Sequence, residues 1–186
     1  MDSNKKFYNL TNPQKSIWMI EQFYPNSNIN CMGGSIKVFE SINFELLIKA
    51  YNLLIEKNDG LRIRVVEKGG NPIQYIADYV PEKVEVIDIS RQDFDEMMNH
   101  YIPKPFGIID SKLYSFELYR FEDGEGAYIA YLHHLICDAW TTSLFVNELM
   151  TLYHALKNNL DTDSIIYPSY TKFIESESKY ISSERF

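Results

Sequence analysis

The sequence predicts an α/β fold, a mixed and mostly antiparallel sheet with helices packed on it. Three observations lead there. Segments with apolar residues at helical spacing alternate with segments of period two, but without the strict strand–helix–strand rhythm of a parallel sheet. Two long strand patterns, Leu113 to Phe121 and Ala127 to His134, flank the turn Glu122-Asp123-Gly124-Glu125-Gly126, which makes them antiparallel neighbours. The 186 residues are 45% hydrophobic and 24% charged, a globular composition long enough for one domain or one large lobe with a real core.

Each element follows from local signals. Thr11-Asn12-Pro13 starts a helix, with a capping side chain and proline in the first turn. Gln14 to Tyr24 then places Ile17, Ile20, Phe23 and Tyr24 on one side, and Pro25-Asn26-Ser27-Asn28 breaks the pattern. Met32 to Phe39 alternates as a strand. Asn43 caps a second helix running to about Asn58, with Leu46, Leu47, Ala50, Leu53 and Leu54 as its apolar stripe and Gly60 as its stop. Leu61 to Val65 has period two, and Lys68-Gly69-Gly70-Asn71 is a hairpin turn into Ile73 to Ala77. Lys83 to Ile89 alternates as another strand, and Gln92 to Tyr101 forms a short helix. After the strand pair around Gly124, a long helix from Trp140 to Lys157 carries Leu144, Phe145, Leu149, Leu152, Tyr153 and Leu156. Pro168-Ser169 caps a last helix from Tyr170 to about Ser183.

Composition excludes several classes of function. The formal net charge is −8 and the basic residues are scattered, so no stripe exists to neutralise a phosphate backbone, and nucleic acid is not an expected partner. Cys31 and Cys137 stand far apart with no CxxC spacing, which fits reduced thiols in a cytoplasmic protein. The opening MDSNKKFYNL lacks a signal-peptide core, and no apolar run approaches the ~20 residues of a membrane span.

The stretch that carries chemistry is Tyr131-Leu132-His133-His134-Leu135-Ile136-Cys137-Asp138-Ala139-Trp140. It lies where an apolar strand ends and a long helix begins, a place that exposes side chains and presents free N–H groups. Two histidines and an aspartate there point to acid–base chemistry near neutral pH. A zinc site is disfavoured, because successive strand residues point to opposite faces and the histidines cannot easily converge. Cys137 is expected to be a buried inert thiol rather than a nucleophile paired with His134. Trp18 and Trp140 read as core or lobe-packing aromatics, and the isolated His100 and His154 as surface residues.

This stretch resembles the His-His-x-x-x-Asp-Gly signature of condensation domains of nonribosomal peptide synthetases and related chloramphenicol-acetyltransferase-like acyltransferases. Three further segments agree in order. Leu10-Thr11-Asn12-Pro13-Gln14-Lys15-Ser16-Ile17-Trp18 is similar to the family's opening helix. Lys57-Asn58-Asp59-Gly60-Leu61-Arg62-Ile63-Arg64 resembles its His-Glu-x-Leu-Arg-x-x-Phe region, and Lys104-Pro105-Phe106-Gly107 its Pro-Phe-Asp-Leu turn. The resemblance implies a two-layer chloramphenicol-acetyltransferase-like sandwich, of which residues 1–186 are the N-terminal lobe, with the C-terminal lobe lying outside this chain. It implies amide-bond formation between aminoacyl or peptidyl thioesters held on carrier proteins. His134 would be the general base or amine-positioning residue, His133 would orient it, and Asp138 would form a structural ion pair with Arg62, or failing that Arg64. No cofactor or metal of the lobe's own is implied, since the phosphopantetheine arms belong to the carriers. Expected partners are carrier proteins, adenylation domains and the second lobe. The lobe alone is expected to be inactive, and its uncovered face invites self-association.

Two positions depart from the family pattern. Ala139 stands where the signature has glycine, which matters if the loop needs a positive φ there. Asn58-Asp59 replaces His-Glu. An epimerization domain, a standalone thioester-dependent acyltransferase and a non-catalytic docking domain, the last favoured by Ala139, are the alternatives. A heterocyclization domain is disfavoured because the first histidine is not replaced by aspartate.

Overall fold

A computed structural model describes residues 5–183; Met1 to Asn4 and Glu184 to Phe186, the ends of the expected lobe, lie outside the described residues. Two sheets organise the chain. A three-stranded antiparallel sheet has the order β1-β4-β3, from β1 (Phe7–Asn9), β3 (Ile63–Lys68) and β4 (Asn71–Ile76). A four-stranded sheet has the order β2-β7-β6-β5, from β2 (Cys31–Val38), β5 (Val86–Asp88), β6 (Tyr114–Arg120) and β7 (Gly126–His133). Within it β2, β7 and β6 are antiparallel and β5 runs parallel to β6. This is the mixed, mostly antiparallel, helix-covered architecture that the patterning predicts.

Helices cover both faces of the larger sheet. On one face, α2 (Phe44–Lys57) and α4 (Ala139–Lys157) bury Leu47, Tyr51, Leu54, Phe145, Leu149 and Tyr153 against Leu118, Tyr128 and Leu132. Tyr51 stacks on Phe116 with ring centroids 4.3 Å apart. On the other face, α3 (Arg91–Asn99) inserts Phe94 among Tyr119, Phe121 and Ile129. A separate cluster of Leu10, Trp18, Ile63, Val65, Leu113 and Leu135 joins α1 (Asn12–Phe23) to the small sheet. α5 (Tyr170–Ile181) closes one end.

Local signals set the starts of the elements. Thr11 and Gln14 form a reciprocal capping box on α1, and Asn43 and Ser169 cap α2 and α5. Gly69 and Gly70 take φ of 59° and 79°, the left-handed geometry of a two-residue hairpin. Gly33 has φ 147°, and a β-carbon there would collide with the carbonyl of Ala130, so β2 lies on β7 only because that position has no side chain.

Some expectations are corrected. The buried face of α1 is Gln14, Trp18 and Glu21, whereas Phe23 and Tyr24 are exposed. The two polar residues are buried because hydrogen bonds hold them, as shown below. Gly60 does not simply stop α2: Asn58 is its C-cap, and Asp59–Arg62 form a 3-10 turn before β3 begins. Of the expected strand Lys83 to Ile89, Val86–Asp88 forms the ladder with β6, while just before that segment the Asn52 side chain of α2 binds both the N–H and the carbonyl of Glu82 (2.7 and 3.1 Å). β1 lacks a sequence signal of its own and forms by pairing with β4.

Candidate active site

The loop from His133 to Asp138 joins the end of β7 to the start of α4. Four contacts fix its path. The N–H of His133 donates to the Leu113 carbonyl (2.8 Å), and that of His134 to the Asn30 carbonyl (2.8 Å). The N–H of Ile136 donates back to the His133 carbonyl (2.9 Å), closing a tight turn. Gln14 Nε2 donates to the Leu135 carbonyl (3.0 Å) while the Leu135 side chain is buried beside Trp18. The loop that carries the two histidines is thus held by three segments distant in sequence: α1 and the residues just before β2 and β6.

The histidines point apart. His133 is 2% exposed and lies on the α3 side of the sheet, with Phe106 edge-on to its ring. Its Nδ1 accepts the Leu135 N–H (3.1 Å), so the proton of the neutral ring sits on Nε2, which donates to Glu21 Oε1 at 3.1 Å. Burial holds its pKa below the usual histidine range, against the opposing pull of Glu21. The backbone donor aimed at Nδ1 also leaves no room for a second proton.

His134 has the opposite tautomer. Its Nδ1 lies 2.6 Å from the Cys137 carbonyl, which can only accept, so Nδ1 carries the proton and Nε2 of the neutral ring holds a lone pair. The ring is half-buried at the wall of a cleft of about 600 Å³, lined by Pro13, Ile17, Ile136, Tyr170 and Phe173 together with the Gln14 amide, the Asp138 carboxylate and a few hydroxyls. Tyr170 and Phe173 belong to α5, whose first turn is held by Asp59. That carboxylate accepts from the Tyr170 N–H (2.7 Å) and from the Ser169 hydroxyl. Asp59, in place of the family glutamate, therefore anchors the cleft wall. Such a site offers an imidazole lone pair as a hydrogen-bond acceptor at the wall of a mostly apolar cleft, an arrangement that can take a proton from a nucleophile.

Asp138 and Arg62 are not partners. Asp138 is the exposed N-cap of α4, its Oδ1 accepting from the Thr141 N–H (2.7 Å) and hydroxyl (2.8 Å). Arg62 donates instead to the carbonyls of Ile55, Ala77 and Glu56, and the second choice, Arg64, bonds the carbonyl of Ile63. The reason is topological: residues 59–62 form a turn that directs the Arg62 side chain back onto the end of α2 and the residue after β4. The expected buried ion pair is thereby replaced by a helix cap.

A stability prediction follows for Asp138. The hydrogen bonds from Thr141 hold its carboxyl below the usual carboxylate range. A lowered pKa in the folded state contributes stability above the unfolded value that is lost as pH falls through the folded one. Asp138→Ala is expected to cost about 1 kcal/mol at neutral pH, as for other N-caps, and nearly nothing in strong acid. Thermal melts across pH check this; a loss of ~3–5 kcal/mol would instead indicate a buried pair.

Ala139 and Cys137 are also placed. Ala139 is the first residue of α4 and is not among the described residues with positive φ, so alanine fits this backbone without strain. The Cys137 thiol is buried, points to the His133 carbonyl (3.4 Å) and is pushed up to about 12 by burial, which matches an inert thiol. Trp18 is core, whereas Trp140 is 73% exposed in the first turn of α4. Among the described residues no His, Cys, Asp and Glu cluster could hold a metal ion, and no helix is long and apolar enough to cross a membrane.

Sequence reasoning missed Gln14's contact with the loop, and missed Glu21 and Asn30 altogether. Gln14, Trp18 and Glu21 recur at spacings of four and three, a helical face that hydrophobicity alone does not reveal.

Comparison with known proteins agrees with this fold. The family model of the condensation domain matches residues 4–186. Surfactin synthase subunit 1 of Bacillus subtilis (strain 168) is 30% identical over 188 residues, covering 97% of this chain and 5% of that protein. Bacitracin synthase 3 of Bacillus licheniformis is 26% identical over 149 residues, covering 80% and 2%. Among solved structures, the starter condensation domain of rhizomide synthetase overlaps with a TM-score of 0.84 at 20% identity, over 96% of this chain and 44% of that chain. The first condensation domain of the calcium-dependent antibiotic synthetase, in complex with a substrate analogue, overlaps with a TM-score of 0.83 at 20% identity, over 97% and 45%. The chain thus spans less than half of those solved chains and a small part of the synthetases.

Proposed function

The chain belongs to the condensation-domain family, and from that premise we propose that it supplies the His134-bearing wall of a site that forms amide bonds in nonribosomal peptide synthesis. The observation that carries this reading is the His134 tautomer, with Nδ1–H held on the Cys137 carbonyl and Nε2 without a hydrogen-bond partner among the described residues, in a residue that lines a mostly apolar cleft. An acceptor amine on one carrier protein's phosphopantetheine arm attacks the acyl thioester carbon on another. As the C–N bond forms, the amine proton passes to Nε2; as the tetrahedral intermediate collapses, the C–S bond breaks and the thiolate takes the proton back. The products are an amide and a free thiol, and the lobe uses no cofactor or metal of its own. His133 and Asp138 shape the loop from outside the reacting atoms. The cytoplasm, where carriers and adenylation domains would be its partners, is the matching location.

A non-catalytic docking role drew its support from Ala139. That support lapses, since the residue sits unstrained at the start of α4. Trp140 and Phe173, both exposed, support a second lobe as the opposite wall. Residues 1–186 supplied with loaded donor and acceptor carriers are therefore expected to yield no amide, because effective molarity falls when one wall is absent. Joining them to a C-terminal condensation lobe should restore product. Robust turnover by residues 1–186 alone would point to a standalone acyltransferase.

A further inference from the structure

Three buried polar groups meet beneath the His134 loop: Glu21 on α1, Asn30 before β2, and His133 at the end of β7. They are 6%, 4% and 2% exposed. A carboxylate so deeply placed is costly unless its oxygens are bonded. Glu21 Oε1 takes two donors, the Asn30 amide and His133 Nε2–H. Asn30 also reaches the next histidine, since its backbone carbonyl accepts the His134 N–H at 2.8 Å. One carboxylate is therefore connected to both histidines by two short routes.

We propose that Glu21 is a positioning residue for His134, acting through His133 and Asn30. By accepting from Nε2 of His133 it fixes the proton there, leaving Nδ1 as the acceptor that holds the Leu135 N–H. That bond and the Ile136 N–H bond set the turn that brings the Cys137 carbonyl to Nδ1 of His134. The two rings thus hold opposite tautomers, and the lone pair on Nε2 of His134 is a consequence of the acceptor at position 21. The idea deepens the amide-forming reading and rests on it only for what His134 meets in the cleft. The tautomers stand apart from it.

Without an acceptor at position 21, His133 would move its proton to Nδ1 or turn its ring. Either change removes the partner of the Leu135 N–H and loosens the turn. His134 would then revert to the mixed tautomers of an exposed imidazole.

Long-range proton–nitrogen correlation spectra of the four histidines test this in the chain itself, with no activity needed. The wild type is expected to show His133 protonated on Nε2 and His134 on Nδ1. Glu21→Gln keeps an acceptor oxygen and should preserve both signatures. Glu21→Met should erase the His133 signature and reduce the Nδ1–H form of His134 to a minority. If Glu21→Met does not fold, Glu21→Ala, which removes the acceptor without adding bulk, should give the same change in weaker form, water taking part of its place. Three results would overturn the proposal: a wild-type His134 protonated on Nε2, loss of its Nδ1–H form in Glu21→Gln, or a folded Glu21→Met or Glu21→Ala in which His134 is unchanged. None of these bears on whether the whole protein makes amides, so this idea and the function can fail separately.

Discussion

Replacing Gln14 with leucine is expected to lower the melting temperature by about 10 °C, although leucine is a good helix former of similar bulk. Gln14 and Gln74 are 3% and 0% exposed and exchange two hydrogen bonds, at 2.9 and 2.8 Å. Gln14 also accepts the Thr11 N–H (2.9 Å) and donates to the Leu135 carbonyl (3.0 Å), so one side chain ties the start of α1, the middle of β4 and the histidine loop together. Leucine would leave the Gln74 amide and the Leu135 carbonyl buried without that partner. Each orphaned group costs about 1–3 kcal/mol, giving about 2–6 kcal/mol in all. In a chain of this size each kcal/mol moves the melting temperature by about 2–4 °C. Thermal unfolding followed by circular dichroism reads the result. A shift under about 2 °C would mean that water or relaxation satisfies those groups.

What the sequence reveals here is mostly local. A capping oxygen reaches an N–H only three residues away, so Thr11, Asn43 and Ser169 mark helix starts that the structure matches. The Gly69-Gly70 hairpin and the antiparallel pair around Gly124 are equally local. Pairings set by distant partners are not legible in this way. Val86–Asp88 is a strand only where β6 lies beside it, and Phe7–Asn9 only where β4 does. The same holds at the site. The histidine loop is visible as a motif, and its flanking strand and helix follow from periodicity. The partners of its side chains lie far off in sequence: His133 and Glu21 are 112 residues apart, and Gln14 and Leu135 are 121 apart. Arg62 shows the opposite error, a partner assigned by motif to a side chain that the turn at 59–62 directs elsewhere.

The larger effect is on activity. His134→Ala in the full-length protein is expected to reduce amide formation by ~10²–10⁴, the range for removing a positioned base. The fold should be spared. The ring is half-buried, its one hydrogen bond among the described residues is to the Cys137 carbonyl, and the backbone bond from its N–H to Asn30 is untouched by alanine. Only one side chain at the cleft wall is altered, so carrier binding is expected to change little.

The most direct measurement is the single-turnover rate at which the acyl group appears as an amide on the acceptor carrier, followed by quenching and mass analysis. Wild-type full-length protein and His134→Ala, both supplied with pre-loaded donor and acceptor carriers, are compared at one pH. A base at His134 requires an acyl-aminoacyl thioester on the acceptor carrier of the wild type, forming at least about a hundredfold faster than in His134→Ala. Equal rates in the two proteins, or inversion of the α-carbon with no new amide, would contradict it.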